Sequence, residues 1–379
     1  MTRPLRAGFN AIFLEPDMGG LETYVLELVP ALLRAAPGLR VTVLCNARGR
    51  DLLAAQAWAA EVRLEVPPLM TRRGLRAAGE LTVLGALASR HFDVLHSAAL
   101  TAPLATRAAN VVMLADTTWI TIPDLGKGQV ATVRLWQAVV PLVARRADRV
   151  IAMSEAGARD IREHLRVDPS RIDVVPSGYG IPPRAAPTPE PELRAKLGLG
   201  RGPIVLNVAM MKRHKNQRRI VQALPRIRAA VPAAELVLAG APTPYERELR
   251  AEAGALGLDG SVTVAGYVDD ADLEGLYAAA SAFVFPSLNE GFGLPVLEAM
   301  ARGLPVVTSN VSALPEVAGD AAVLVDPTSV DEIAVATVRV ITDGAMRERL
   351  IAAGRDRPAA FTWERTARQT LESWERARR

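Results

Sequence analysis

The sequence predicts an α/β protein of two Rossmann-like domains, and three observations carry that prediction. Short apolar runs alternate with amphipathic helical stretches from one end of the chain to the other. Such alternation means parallel sheets covered by helices on both faces. The 379 residues also exceed one ordinary core, since domains usually run about 100 to 200 residues. Finally, a proline-rich stretch divides the strand candidates into two series.

The first series is Ala7 to Leu14, Val41 to Cys45, Val94 to His96, Val111 to Leu114 and Val150 to Ala152, with a helix over Leu21 to Arg34. The second is Ile204 to Ala209, Glu235 to Ala239, Val262 to Ala265, Ala282 to Phe285, Val306 to Thr308 and Ala322 to Val325. Helical patterns within it cover Asn216 to Ala230 and Leu273 to Ala280. Between the series, Pro176 to Pro203 also carries Pro182, Pro183, Pro187, Pro189 and Pro191 with several glycines, the composition of a stiff linker. The expected organisation is an N-terminal domain over 1–176, a linker over 177–203 and a C-terminal domain over 204–360. Residues 361–379 read as one further amphipathic helix.

Composition excludes several classes of function. Half the residues are hydrophobic and 23% are charged, so the whole chain can fold. Aromatic residues make up 4%, too few for the stacking platforms that hold single-stranded nucleic acid, and no nucleic-acid partner is expected. The lone Cys45 excludes an internal disulfide, fits a reducing, cytoplasmic compartment, and reads as a small buried hydrophobe in its apolar run. One cysteine and four scattered histidines (His91, His96, His164, His214) assemble no zinc site. Ala7 to Leu14 runs into Glu15-Pro16-Asp17 with no cleavage site, so it reads as a first strand rather than a signal peptide. No run reaches the roughly 18 apolar residues of a spanning helix, and the longest, Leu135 to Ala144, contains Pro141.

The net charge is +4, with arginine supplying nearly all the positive charge. Much of it is mixed with acids along helices, as in Arg347 to Arg357, and reads as solvated surface. Arg72, Arg73 and Arg76 form a local basic cluster suited to anionic lipid headgroups or a pyrophosphate. Peripheral contact with the inner membrane face is one expectation from it.

Parallel sheets bind ligands at the carboxyl ends of their strands, and two-domain chains bind them between domains. The loops after strands therefore hold the candidate chemistry. Pro286-Ser287-Leu288-Asn289-Glu290-Gly291-Phe292-Gly293-Leu294-Pro295-Val296-Leu297-Glu298 follows a strand and opens a helix. The glycines allow close approach of backbone to a ligand, and Pro295 suits a first helical turn. Free amides around Gly293 and Leu294, backed by the helix dipole, suit a phosphate. Glu298, read as lying in about the first turn, either complements that dipole or accepts hydrogen bonds from ribose hydroxyls. Glu290 precedes the helix and has no helical reason to be there.

Glu290 and Glu298 with Gly-Phe-Gly-Leu-Pro between them resemble the signature of the family 4 retaining glycosyltransferases. Met18-Gly19-Gly20-Leu21-Glu22-Thr23 is similar to that family's first glycine-rich loop, and Val174 to Gly178 to its interdomain turn. Gly266-Tyr267-Val268, Ala301 to Val307, Pro315-Glu316-Val317 and Val325-Asp326-Pro327 resemble its C-terminal domain. The resemblance implies a GT-B fold, a nucleoside-diphosphate sugar donor, and transfer with retention at the anomeric carbon. It implies Glu298 on the ribose, Glu290 beside the sugar, and Gly291, Phe292, Gly293 and Leu294 holding sugar and diphosphate. Gly19 and Gly20 would lie near the donor phosphates, Tyr267 and Val268 would border the base, and residues 361–379 would cross back onto the N-terminal domain. No cofactor and no catalytic metal are implied. A GDP-mannose-type donor leads, with UDP sugars next, and a glycan, lipid-linked sugar or small molecule would be the acceptor.

Charge grows on the diphosphate as the glycosidic bond breaks, so a cation placed there acts mainly in the transition state. Lys212-Arg213-His214-Lys215-Asn216 supplies that charge after a strand, with Lys215 on the family's lysine position; its alternative is a basic turn capped by Asn216. Two residues depart from the family pattern. Met210 stands where many members carry arginine, leaving Arg213 or His214 to substitute. Ala115 stands where histidine usually precedes the aspartate, leaving Asp116 to face the cleft. These departures motivate the alternative of a catalytically silent protein that binds nucleotide or glycan. A nicotinamide dehydrogenase is disfavoured, because no Gly-x-Gly-x-x-Gly follows the first strand. Asp270 and Asp272 read as helix capping rather than metal binding. His96 ends a strand as either an acceptor-side or a packed residue, and Glu22 reads first as a helix-start acid.

Overall fold

The computed structural model describes residues 3–16, 18–68, 76–122, 130–180 and 185–379. Two compact units are present, and among the described residues the first joins the chain up to Gly178 with Phe361–Arg379, while the second holds Tyr179–Ala360.

The first unit is built on seven parallel strands: β1 (Arg6–Ala11), β2 (Arg40–Cys45), β3 (Arg63–Glu65), β4 (Val94–Ser97), β5 (Ala109–Leu114), β6 (Arg149–Ala152) and β7 (Ile172–Val174). Their order across the sheet is β3-β2-β1-β4-β5-β6-β7. The central strands are buried along nearly their whole length, as in β5, because helices cover both faces. Cys45 is buried at the end of β2, and burial pushes its thiol up to about 11, so it packs as a hydrophobe.

The helix Trp363–Ala377 packs against the helix Gly20–Ala35 and against β5 and β6. Three bonds fix it. Thr366 Oγ1 donates to Pro176 O at 2.8 Å, Ser373 Oγ donates to Asp173 at 2.6 Å, and the Trp374 indole donates to His96 Nδ1 at 3.1 Å. Burial raises the Asp173 carboxyl, yet bonds from Arg149 and Ser373 outweigh it and hold it below the usual range.

The second unit has six parallel strands: β8 (Ile204–Val208), β9 (Glu235–Ala239), β10 (Val262–Gly266), β11 (Ala280–Phe285), β12 (Val306–Ser309) and β13 (Ala322–Val325). Their order is β10-β9-β8-β11-β12-β13. The order reverses between β8 and β11, which makes the carboxyl ends of these two strands the switch point of the sheet. A continuous apolar core runs from Val205 and Ile220 through Leu236, Val284 and Val307 to Ile333.

Some elements differ from the sequence expectation. β1 ends at Ala11, and the short edge strands β3 and β7 join the sheet. Part of the proline-rich stretch is a helix, Glu190–Leu197, with Leu193 fully buried and Thr188 N bonded to Ala271 O. Among the described residues no helix is long and apolar enough to cross a membrane. Arg72 and Arg73 lie outside the described residues, while Arg76 begins the helix Arg76–Leu81 and lies 3.5 Å from Glu80.

Candidate active site

The topological switch point of the second sheet brings together the two loops that the sequence singled out. Lys215 ends a short 3-10 turn (Arg213–Lys215) after β8, and Glu290 follows β11. Lys215 Nζ donates to both carboxylate oxygens of Glu290, at 2.7 and 2.9 Å. Both side chains are mostly buried, 18% and 11% exposed, and the ammonium also lies 5.5 Å from the centre of the Phe285 ring. An ion pair this enclosed is screened by salt less than an exposed one.

Asn216 locks the two loops. Its backbone is left-handed (φ 62°), a conformation that asparagine tolerates better than most residues. Its amide donates to Pro286 O at 2.8 Å and to Pro327 O at 2.7 Å, tying the lysine turn to the loops after β11 and β13. Leu288 N adds a bond to His214 O at 2.8 Å, and Glu290 N donates to Ser312 Oγ at 3.1 Å. The side chain of Asn216 makes no cap bond to the helix Gln217–Ala230, so the capping role read from the sequence gives way to this bridging one.

Gly293 is the N-cap of the helix Leu294–Ala301, at φ 118°, where a side chain would be strained and would meet Leu314 at 2.8 Å. Pro295 occupies the first turn. Val296 N donates to Gly293 O at 3.0 Å and Pro295 carries no N–H, so the amides of Gly293 and Leu294 are the donors this helix start offers an anion. Phe292 is buried beside it, and Gly291 and Leu294 are partly exposed.

Glu298 is the fifth residue of this helix, just past its first turn, which holds no acid. The dipole explanation for it therefore weakens, since that effect fades beyond the first turn. One of its oxygens accepts from the Tyr277 hydroxyl at 3.2 Å. Beneath it, Arg302 donates to Glu298 O at 3.1 Å and to Glu274 at 2.7 Å, and lies 4.8 Å from the Tyr277 ring centre. The sequence does not single out Tyr277, Arg302, Glu274 or Asn216 as site residues; polar groups within the helical stretch Leu273 to Ala280 are a signal for Glu274 and Tyr277 alone.

The remaining candidates are dispersed. Arg213 is held by Glu248, at 2.7 and 2.8 Å, and faces the Tyr245 ring rather than pairing with Glu290. Tyr267 is 68% exposed after β10, with Val268 partly buried beside it. In the first unit, Gly19 caps the helix Gly20–Ala35 with φ 64°, and Glu22 accepts from Met18 N at 3.0 Å, a helix-start role. Asp116 follows β5 and accepts from Thr118 N at 2.9 Å. His96 is fully buried, and burial lowers its pKa to about 3, so it is a packed residue. Asp269 rather than Asp270 caps the helix Asp270–Ala279. Among the described residues no group of acids, histidines or cysteine is arranged to hold a metal.

Two parallel-sheet units of this kind, with a cation and an acidic loop at the switch point of the second, define a GT-B protein. HepE of Anabaena, solved in complex with UDP and glucose, superposes with a TM-score of 0.76 at 20% identity, covering 98% of this chain and 99% of that one. Family models for Glycosyltransferase Family 4 over residues 18–180 and for Glycosyl transferases group 1 over residues 189–357 together tile the sequence. The chain belongs to the family 4 (group 1) glycosyltransferases. It is 39% identical over 116 residues to O-antigen chain mannosyltransferase B of Escherichia coli, covering 31% of this chain and 30% of that protein. It is 30% identical over 253 residues to D-inositol 3-phosphate glycosyltransferase of Nocardioides sp., covering 62% and 55%. The matches thus span from under a third to about half the length of these two curated relatives.

Proposed function

We propose that this protein transfers a hexose from a nucleoside-diphosphate sugar to a glycan, lipid-linked or small-molecule acceptor, with retention at the anomeric carbon. The observation that carries the reading is the meeting of Lys215 and Glu290 at the β8–β11 switch point, in the loop that leads to the amides of Gly293 and Leu294.

Without donor, Glu290 neutralises Lys215. A diphosphate on the amides of Gly293 and Leu294 competes for the ammonium and releases the carboxylate toward sugar hydroxyls. As the bond from anomeric carbon to diphosphate oxygen breaks, the electron pair goes to that oxygen, where Lys215 and the amides stabilise it. The acceptor hydroxyl oxygen meanwhile bonds to the same face of the carbon, and its proton passes to the leaving diphosphate. No metal is required in this scheme, because a lysine and fixed dipoles supply the positive field. Glu298 accepts from ribose hydroxyls, and Tyr267 and Val268 flank the base. On the acceptor side, Asp116 of the first unit contributes a carboxylate.

The mannosyltransferase relative supports a GDP-mannose-type donor first, and the HepE complex keeps UDP sugars next. Ala115 in the place of the family's histidine favours a second reading, a silent protein that binds nucleotide without turnover. Incubating the protein with GDP-mannose and UDP-glucose, with chelator, and reading the product by proton NMR tests the proposal. An α product from an α-linked donor supports it. An inverted product contradicts retention, and turnover lost with chelator and restored by Mg²⁺ contradicts the metal-free scheme.

A further inference from the structure

We infer a second anion site at the opposite, amino-terminal edge of the first unit's sheet, built to take a phosphoryl group. A cavity of about 430 Å³ opens there, lined by Arg6, Arg40, Thr42, Arg63, Glu65 and His91, with Phe92 as its apolar wall. Its volume falls in the range of small-ligand pockets, roughly 300–1,000 Å³.

Strand register makes the cavity basic. Arg6 on β1 lies opposite Arg40 on β2, and Thr42 on β2 lies opposite Arg63 on β3. Registered residues of neighbouring parallel strands point to one face, and strands stand about 4.8 Å apart. Three arginines are therefore carried side by side on one face, an arrangement that like-charge repulsion opposes unless something compensates. Thr42 keeps the floor low, as does Gly8, whose missing side chain leaves room for the Phe92 ring at 2.4 Å from where a Cβ would stand.

The protein's own carboxylates compensate only in part. Asp93 accepts from both Arg3 and Arg6, each at 2.9 Å. Glu65 lies 3.6 Å from Arg63. Arg40 has no ion-pair partner among the described residues, and it is exposed. Four guanidiniums thus face two carboxylates, and the open fork of Arg40 is the one that a phosphate fits in bidentate fashion. The site lies at the opposite end of the strands from Asp116: the six residues of β1 put roughly 16 Å between the two edges of the sheet. Its occupant is a phosphate ester or diphosphate, whether free in solution or on a lipid headgroup.

Pyrophosphate binding measured by calorimetry on the full chain tests the site, with Arg40→Gln, Arg63→Gln and Lys215→Ala compared with the parent. The expected result is a class of pyrophosphate sites that Lys215→Ala leaves intact and that each arginine variant weakens about ten-fold or more. Arg40 and Arg63 are exposed, so an unfolding midpoint within a degree or two of the parent separates lost binding from lost fold. Binding that survives both arginine variants, or that Lys215→Ala alone abolishes, overturns the proposal. Co-sedimentation with phosphatidylglycerol vesicles then identifies the source. Arg40-dependent retention displaced by pyrophosphate assigns a lipid headgroup, and no retention assigns a soluble phosphate.

Discussion

The ammonium of Lys215 lies 2.7 Å from one oxygen of Glu290 and 2.9 Å from the other, so residues 75 positions apart share one largely buried charge pair. Removing either partner leaves the other charge enclosed without compensation, which costs more than removing both. The stability effects of Lys215→Ala and Glu290→Ala should therefore be strongly non-additive, with a coupling of about 0.5–3 kcal/mol. Urea unfolding of both single variants and the double variant measures it. Additive losses would mean that the pair contributes nothing in solution. In turnover, Lys215→Ala should lower kcat more than it raises KM, because the leaving-group charge is greatest in the transition state.

Glu298 has one oxygen engaged by Tyr277 and a place beyond the helix's first turn, where the dipole gives it little. If it holds the ribose, Glu298→Ala should weaken nucleotide binding by about 1.5–3 kcal/mol, the worth of hydrogen bonds to a charged group. Tyr277→Phe should cost less, about 0.5–1.5 kcal/mol, since it removes only a positioning bond. Calorimetric nucleotide affinities check both values, and equal losses in the two variants would contradict this order.

Arg302 and Glu274 are 12% and 7% exposed. Truncating the arginine would leave the Glu274 carboxylate buried without its cation, so Arg302→Leu should destabilise by about 3–5 kcal/mol. Arg302→Lys should restore little, because the guanidinium also lies on the Tyr277 ring and donates to Glu298 O. A small loss in chemical unfolding of Arg302→Leu would show that Glu274 finds another partner.

Stability should fall with acid through His96. The Trp374 indole can only donate, so Nδ1 accepts and Nε2 carries the proton toward Tyr24 Oη at 3.3 Å. Burial lowers the folded-state pKa from 6.5 to about 3. The unfolded chain takes up a proton that the folded chain refuses. The contribution of His96 is thus complete above about pH 6.5 and declines toward pH 3, by at most about 1.4 kcal/mol per pH unit. Unfolding free energies between about pH 6.5 and 4.5 should slope less in His96→Asn than in the parent. Equal slopes would locate the acid sensitivity elsewhere.

The long buried strands and the two chemical loops were legible because their signals are local: apolar runs for β8 to β13, and a glycine-proline helix start with two acids around it. β3 and β7 escaped because Arg63-Leu64-Glu65 and Ile172-Asp173-Val174 are short and carry charge. The helix Glu190–Leu197 was hidden by Pro189 and Pro191, although proline is at home in a first turn. Contacts between distant segments were illegible for a different reason. Nothing near Asn216 announces its bonds to Pro286 and Pro327, nor does the surrounding sequence of Arg213 announce Glu248 as its partner.

The most direct test of the central claim is thermal unfolding of the protein and of Glu298→Ala against GDP, UDP, ADP and their sugar conjugates, since a ligand of the folded state raises the midpoint. The account predicts a shift selective for one nucleotide and its sugar, largely lost in Glu298→Ala. A shift that Glu298→Ala leaves unchanged, or none with any nucleotide at millimolar concentration, would contradict it.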